Sequence, residues 1–154
     1  MKVRTILLAP ALCFLLGTVG FAANANLGTW KLNDAKSKFA PGAPKNNTVA
    51  YETAGDSIKV TVDGINADGS SVHSEWTGQF DSKDYPVTGD PTEDMRSYTK
   101  IDDHTLQITI KKDGKVIIKG RIVVSADGKS RTFTSFSTDP NGKKVKSVAV
   151  YDKQ

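Results

Sequence analysis

Two histidines and a glutamate are the residues of this chain best suited to acid–base or metal chemistry. His73 and Glu75 lie two positions apart on one predicted strand, and His104 follows Asp102-Asp103. Imidazole and carboxylate groups act as general acids and bases, and histidines that converge bind zinc. Strand alternation, however, places His73 and Glu75 opposite Trp76, on the solvent side, and His104 fills a turn position. We therefore expect no catalytic residue here, and a hydrolase only if these side chains converge.

An acidic segment from Asp81 to Asp94 raises the question of a calcium site, because carboxylate oxygens are the ligands that calcium prefers. The segment lacks the spacing of a calcium-binding loop, so we predict no metal and no cofactor. The chain also lacks the Gly-x-Ser-x-Gly, His-Glu-x-x-His and phosphate-loop motifs, so we predict a protein that is not an enzyme. Tyr85-Pro86-Val87 interrupts the acids with apolar residues, and we expect this loop to contribute to selectivity.

The first 25 residues have the pattern of a cleaved signal peptide. Lys2 and Arg4 form a basic start, Ile6 to Leu16 is apolar, and Ala23-Asn24-Ala25 has the small-x-small form of a cleavage site. Cys13, the single cysteine, lies inside the apolar stretch. We predict a signal peptide over residues 1–25 and a cysteine-free mature chain, residues 26–154, that forms one domain in the periplasm or outside the cell and has no membrane span.

Composition limits the possible classes further. The 154 residues include 38% hydrophobic and 25% charged residues, which is typical of a globular domain. The net charge is +4, and two of the positive charges belong to Lys2 and Arg4. The remaining excess is too small to indicate nucleic-acid binding.

Beyond Ala25 the chain alternates apolar and polar residues in short segments, which predicts an all-β domain with little helix. In Ser57 to Asp63, for example, Ile58, Val60 and Val62 share one face. We predict about nine strands, over Gly28–Asn33, Thr48–Thr53, Ser57–Asp63, Val72–Phe80, Met95–Ile101, Thr105–Lys111, Val116–Val124, Arg131–Thr138 and Val145–Tyr151.

The turns favour hairpins between consecutive strands. Asp68-Gly69, Asp113-Gly114, Asp127-Gly128 and Asn141-Gly142 suit tight antiparallel turns. Such a meander leaves two edges exposed unless the sheet closes, so an antiparallel up-and-down barrel of eight to ten strands is the first expectation. A sandwich is the alternative, with a crossover at residues 35–47 or 81–94.

Three segments carry a resemblance. Gly28-Thr29-Trp30-Lys31-Leu32-Asn33 on the first strand resembles the start of calycin barrels, the lipocalins and fatty-acid-binding proteins. Together with Lys83 to Gly89 and Ala149 to Gln154, it also resembles small exported bacterial proteins that are usually left uncharacterised or called lipocalin-like. The resemblance implies a barrel with Trp30 at its closed end. Lipocalins stack an arginine of the last strand on this tryptophan, but here that strand contains lysines and no arginine.

A barrel that binds a small molecule combines apolar walls with a few polar groups. Alternation brings aromatic and small polar residues onto inward rows of three strands. The predicted ligand-binding residues are Trp76, Phe80, Tyr85, Phe133, Ser135, Ser147 and Tyr151. The same residues would equally fill a solid core, or face water if the register slipped by one residue.

Two functions follow from this. The first is an exported lipocalin-like protein that binds a small apolar or amphiphilic molecule in its lumen, which requires an internal cavity. The alternative is a ligand-free envelope or protein-interaction module, which requires a filled barrel with an exposed apolar patch. The sequence by itself leaves the ligand and the oligomeric state open.

Overall fold

The computed structural model describes residues 24–154. The predicted signal peptide therefore lies outside the described residues, apart from Asn24 and Ala25. Within residues 24–154, no helix is long and apolar enough to cross a membrane.

Ten β-strands and one short 3-10 helix make up the described chain. The helix covers Asp34–Lys36 and follows the first strand. The strands are β1 (Gly28–Leu32), β2 (Lys45–Ala54), β3 (Ser57–Ile65), β4 (Ser71–Gly78), β5 (Tyr85–Thr88), β6 (Met95–Lys100), β7 (Thr105–Lys112), β8 (Lys115–Val124), β9 (Ser130–Thr138) and β10 (Lys144–Lys153).

The ten strands form a closed antiparallel up-and-down barrel, as the hairpin pattern predicted. Each strand pairs with its neighbour in the chain, and β1 closes the sheet against β10, with Trp30 opposite Lys153. The sandwich alternative is wrong. Closure satisfies the backbone hydrogen bonds that two free edges would leave open, and no crossover is required.

The strand boundaries differ from the sequence prediction in three places. The segment from Asp81 to Asp94 contains β5, which the sequence did not indicate because the strand is only four residues long and includes Pro86. β4 ends at Gly78, so Phe80 lies in the following loop rather than on the strand. β2 starts at Lys45, before a bulge between Asn46 and Thr48 that interrupts the alternation.

The strand directions define two ends of the barrel. The plug end carries the start of β1 and the turns at 55–56, 79–84, 101–104 and 125–129. The mouth end carries the loops at 33–44, 66–70, 89–94, 113–114 and 139–143. Inward-facing side chains of all the long strands form a single core, in which the largest fully buried side chains are Trp30, Trp76, Tyr51, Tyr98 and Tyr151.

Candidate functional site

A cavity runs through the barrel from the mouth end towards the plug end. The volume of this cavity is about 110 Å³. Its walls are mainly aliphatic, from Val49 and Val62 on one side and Ile108, Ile110 and Ile122 on the other. The cavity has room for several water molecules or for a small organic molecule.

The loop between β1 and β2 covers the mouth of the cavity. Phe39, Ala43 and Pro44 line the cavity from this loop. The loop is tied to β10, because the hydroxyl of Ser147 accepts a hydrogen bond from the Ala40 N–H at 3.0 Å. Lys38 adds a backbone bridge to Val148 on the same strand. The loop is thus attached to β10 by several hydrogen bonds, including one from the Val150 N–H to the Ser37 hydroxyl, and it has no long helix or strand of its own.

A buried ion pair lies on the opposite side of the mouth. Arg96, near the mouth end of β6, donates from Nε to Glu93 Oε2 at 3.2 Å, and its Nη2 donates to Glu93 Oε1. Both side chains line the cavity, and the two residues are 4% and 7% exposed. Since each charge compensates the other, this pair is a closed unit rather than a free binding group.

A second buried arginine, Arg131, lies deep in the cavity, one residue into β9 from the plug end. It is 3% exposed, and its guanidinium carbon lies 4.9 Å from the ring centre of Tyr51 and 4.8 Å from that of Tyr151. No protein group in residues 24–154 accepts a hydrogen bond from its Nε or Nη1. The base of the cavity therefore holds a positive charge without a counter-charge.

The indole of Trp30 closes the plug end beneath this arginine. Its Nε1 donates to the carbonyl of Asn26 at 2.8 Å, and the residue is fully buried. Two cations lie over its ring, Arg131 with its guanidinium carbon at 5.5 Å and Lys153 with its ammonium nitrogen at 5.1 Å. The arginine that the resemblance placed on the last strand is thus supplied by β9, and the last strand contributes a lysine.

An aromatic cluster completes the plug end on the side of β4 to β6. Trp76 packs against Tyr98 with ring centres 4.7 Å apart, against Tyr85 at 5.8 Å and against Phe80 at 6.3 Å. The Trp76 Nε1 donates to the Arg96 carbonyl at 2.9 Å. We call these four rings the aromatic plug. Because they pack against one another, Trp76, Phe80 and Tyr85 form floor and wall, while Tyr98 also lines the cavity.

The seven residues predicted to bind a ligand therefore separate into two groups. Trp76, Phe80 and Tyr85 lie in the aromatic plug. The cavity lining includes the other four, Phe133, Ser135, Ser147 and Tyr151. The predicted alternation is observed on both β9 and β10, where Ser135 lies opposite Ser147 across the strand pair. Ligand contact by these residues stays a prediction.

Sequence reasoning missed the charged residues of the cavity: Glu93, Arg96 and Arg131. For Arg131 a signal was present, because it shares strand parity with Phe133 and Ser135 and begins the same inward row. Glu93 gave no such signal, because it lies in the acidic segment from Asp81 to Asp94 and could not be told apart there from the other carboxylates. Its partner Arg96 is only three residues away, a spacing that has no special meaning outside a helix.

Burial also changes the acidity of the cavity tyrosines. It raises the pKa of Tyr151 to about 12, although the positive charge of Arg131 opposes this shift. Burial and the neighbouring Tyr51 raise the pKa of Tyr98 well above the ordinary tyrosine value. Both hydroxyls therefore keep their protons at neutral pH and can donate hydrogen bonds.

The histidines and acids considered for catalysis do not converge. His73 lies exposed on the outer wall, with its Nδ1 2.6 Å from Asp63, and Glu75 pairs with Lys59 at 2.5 Å. His104 occupies the turn at 101–104, at the plug end, whereas His73 is near the mouth end of β4. Among residues 24–154, no group of three His, Cys, Asp or Glu side chains is arranged to hold a metal.

No protein-family model matches the chain, and no curated protein does so either. Among solved structures, it is similar to one described as EF1p2_mFAP2b bound to DFHBI, at 12% identity over 86% of this chain and 97% of that one, with a TM-score of 0.48. It is also similar to a redesigned β-barrel, mFAP1, bound to DFHBI, at 17% identity over 86% and 98%, with a TM-score of 0.45. The bound DFHBI is a property of those two barrels.

Proposed function

We propose that this barrel binds a small apolar or amphiphilic molecule in its cavity and acts as a binding protein rather than an enzyme. The observation that supports the proposal is the cavity itself, which has aliphatic walls, polar groups at both ends and one loop over its mouth. Apolar walls supply affinity through the surface they remove from water, and a few polar groups orient the ligand.

The test combines a search for a natural ligand with a variant that blocks the cavity. Native mass spectrometry of the protein purified from its own host, followed by solvent extraction, is expected to show an adduct that denaturation releases. In parallel, a fluorescent amphiphile such as anilinonaphthalene sulfonate is titrated into the protein and displaced with octanoate.

Ser135→Phe places a ring in the cavity, whereas Thr134→Phe places the same ring on the outer wall of the same strand. Binding is expected to be lost in the first variant and kept in the second. Equal binding by both variants would show that the amphiphile occupies another surface, and the proposal would fail.

The export of the chain is also proposed. The basic start, the apolar stretch from Ile6 to Leu16 and the Ala23-Asn24-Ala25 site support cleavage before Asn26 and delivery to the periplasm or the medium. The mass of the protein recovered from the periplasm and the medium tests this. A species that begins at Asn26 is expected, and recovery of the full-length chain from the cytoplasm would contradict it.

An exposed apolar patch supports the second candidate, a protein-interaction module. Phe136 is 53% exposed and Ile101 is 52% exposed, and both border a shallow depression on the outer wall together with Lys119 and Arg121. Exposed aromatic and basic side chains are common at contact surfaces. If this candidate holds, the wild-type protein captures a partner from host extract in a pull-down. Phe136→Ser is expected to lose that partner, while Ser135→Phe is expected to retain it.

A further inference from the structure

Arg131 is buried in a way that calls for an anion. Its Nε and Nη1 have no hydrogen-bond acceptor within residues 24–154, and none of the ion pairs formed there includes this residue. A buried charge without a partner is strongly unfavourable, and aromatic rings attract a cation but do not replace good acceptors. Trp30, Tyr51 and Tyr151 thus compensate the positive charge of Arg131 only in part.

The other buried arginine of the barrel shows how this fold satisfies such a group. Arg96 donates twice to the Glu93 carboxylate, and both side chains are almost fully removed from solvent. Arg131 is buried to the same degree in the same cavity but has no carboxylate. The comparison indicates that the base of the cavity suits a carboxylate-like group.

The surroundings of Arg131 suit an oxyanion. Tyr151 lies directly opposite it across the β9–β10 pair. The ring centre of Tyr51, on β2, lies 4.9 Å from the Arg131 guanidinium carbon. Both tyrosines line the cavity and carry hydroxyl groups that can donate hydrogen bonds. Towards the mouth, the walls turn aliphatic at Ile110, Ile117 and Ile118. The cavity is therefore positive at its base, and several isoleucines lie between the base and the polar groups at the mouth.

We propose that Arg131 binds the anionic head group of a small amphiphile, which enters the barrel head first and leaves its apolar chain between the isoleucines below the mouth. This inference rests on the proposed function and adds the chemical class and the orientation of the ligand. Octanoate, with one carboxylate and a short apolar chain, represents this class of ligand. Asp90, on the mouth side, disfavours a second negative charge at the far end.

The test compares three ligands of equal chain length: octanoate, octanamide and 1-octanol. Calorimetric titration into the wild-type chain is expected to give at least about tenfold tighter binding of octanoate, because a charge-assisted hydrogen bond to a buried guanidinium is lost with the neutral ligands. Equal affinities for the three would overturn the inference and leave the proposed function standing. If none of the three binds and the fluorescent amphiphile also fails, both proposals are wrong.

Variants assign the effect to the residue. Arg131→Gln is expected to remove the preference for octanoate over octanamide while keeping some affinity for both. The matched control is Arg121→Gln, on β8 with its side chain exposed on the outer wall, which is expected to keep the full preference. Loss of the preference in both variants, or in neither, contradicts the assignment. Arg131→Lys retains the charge and is expected to restore part of the preference.

Orientation is measured on the wild-type protein, which avoids any variant that fails to fold. Nuclear Overhauser contacts from the terminal methyl of bound octanoate are expected to reach Phe39 and Ile117, near the mouth. Contacts from that methyl to Tyr151 instead would place the chain at the base and overturn the inference. Contacts from the bound ligand only to Phe136, on the outer wall, would also overturn the inference.

Discussion

Glu93 and Arg96 are joined by two hydrogen bonds inside the barrel, and neither side chain is more than 7% exposed. The pair connects the loop before β6 to the strand itself at the mouth of the cavity. Since both charges have been removed from water, each depends on the other.

Loss of one partner of this pair should therefore destabilise the barrel. Glu93→Gln leaves the charge of Arg96 uncompensated, and we expect a loss of roughly 3 kcal/mol in the free energy of unfolding. Urea denaturation followed by circular dichroism measures it. The control is Glu75→Gln, which breaks the exposed pair with Lys59 and should cost less than about 1 kcal/mol. Similar losses in the two variants would contradict this account.

Trp76 is expected to be the most important ring of the aromatic plug. Trp76→Phe removes the hydrogen bond to the Arg96 carbonyl and leaves a void among Phe80, Tyr85 and Tyr98, at a cost of about 2 kcal/mol. Phe136→Leu, a change of similar size at a side chain that is 53% exposed, should change stability by less than about 0.5 kcal/mol. Thermal or urea unfolding of the two variants tests the contrast.

Gly120 controls the shape of the cavity. A Cβ placed there would lie 2.3 Å from the Phe133 ring and 2.9 Å from the Thr134 carbonyl, and the ring would have to move. Gly120→Ala is expected to cost about 1–3 kcal/mol through overpacking and to weaken ligand binding as Phe133 is displaced into the cavity. The double variant Gly120→Ala with Phe133→Leu should regain part of the lost stability and part of the lost ligand binding. No recovery in the double variant would show that the clash with the backbone dominates.

Ser147 is also expected to control ligand exchange, through its hydrogen bond to the loop over the mouth. Ser147→Ala removes the acceptor for the Ala40 N–H, and the loop over the mouth loses about 1 kcal/mol of attachment. Dissociation of a bound amphiphile should become roughly fivefold faster in stopped-flow measurements. Thr134→Ala, on β9 and outside the cavity lining, is the control and should leave the rate unchanged. A faster rate in the control would indicate a general loosening of the cavity.

Alkaline pH should destabilise the barrel through Tyr151. The folded-state pKa is about 12, whereas an unfolded tyrosine has a pKa of about 10. The folded state therefore binds the proton more tightly, and stability is full below pH 10 and lost as the pH rises towards 12. Tyr151→Phe should reduce the loss of stability over this range, measured by urea unfolding at a series of pH values. Parallel losses in wild type and variant would assign the effect to other groups, such as Tyr98.

Much of the fold follows from local features of the sequence. Two-residue alternation identified nine of the ten strands, and the Asp-Gly and Asn-Gly turns paired them in chain order, because both signals act over a few residues. β5 escaped notice since four residues with a proline carry too little alternation, and its pairing with β4 and β6 depends on the closed sheet around it. The bulge in β2 hid the start of that strand for a related reason.

The sequence by itself determined the all-β class, the chain-order pairing of the hairpins and the inward rows of β9 and β10, because these depend on residue order along single strands and hairpins. Tertiary structure alone decided that Arg131 meets Trp30, Tyr51 and Tyr151, which come from three other strands. It decided as well that Arg96 pairs with Glu93, whereas no carboxylate of residues 24–154 pairs with Arg131. It also decided that Trp76, Phe80 and Tyr85 pack together as the aromatic plug and that a cavity lies above them. Contacts and empty space of this kind are set by how side chains from distant strands share one interior, and no pattern along the chain reports on that.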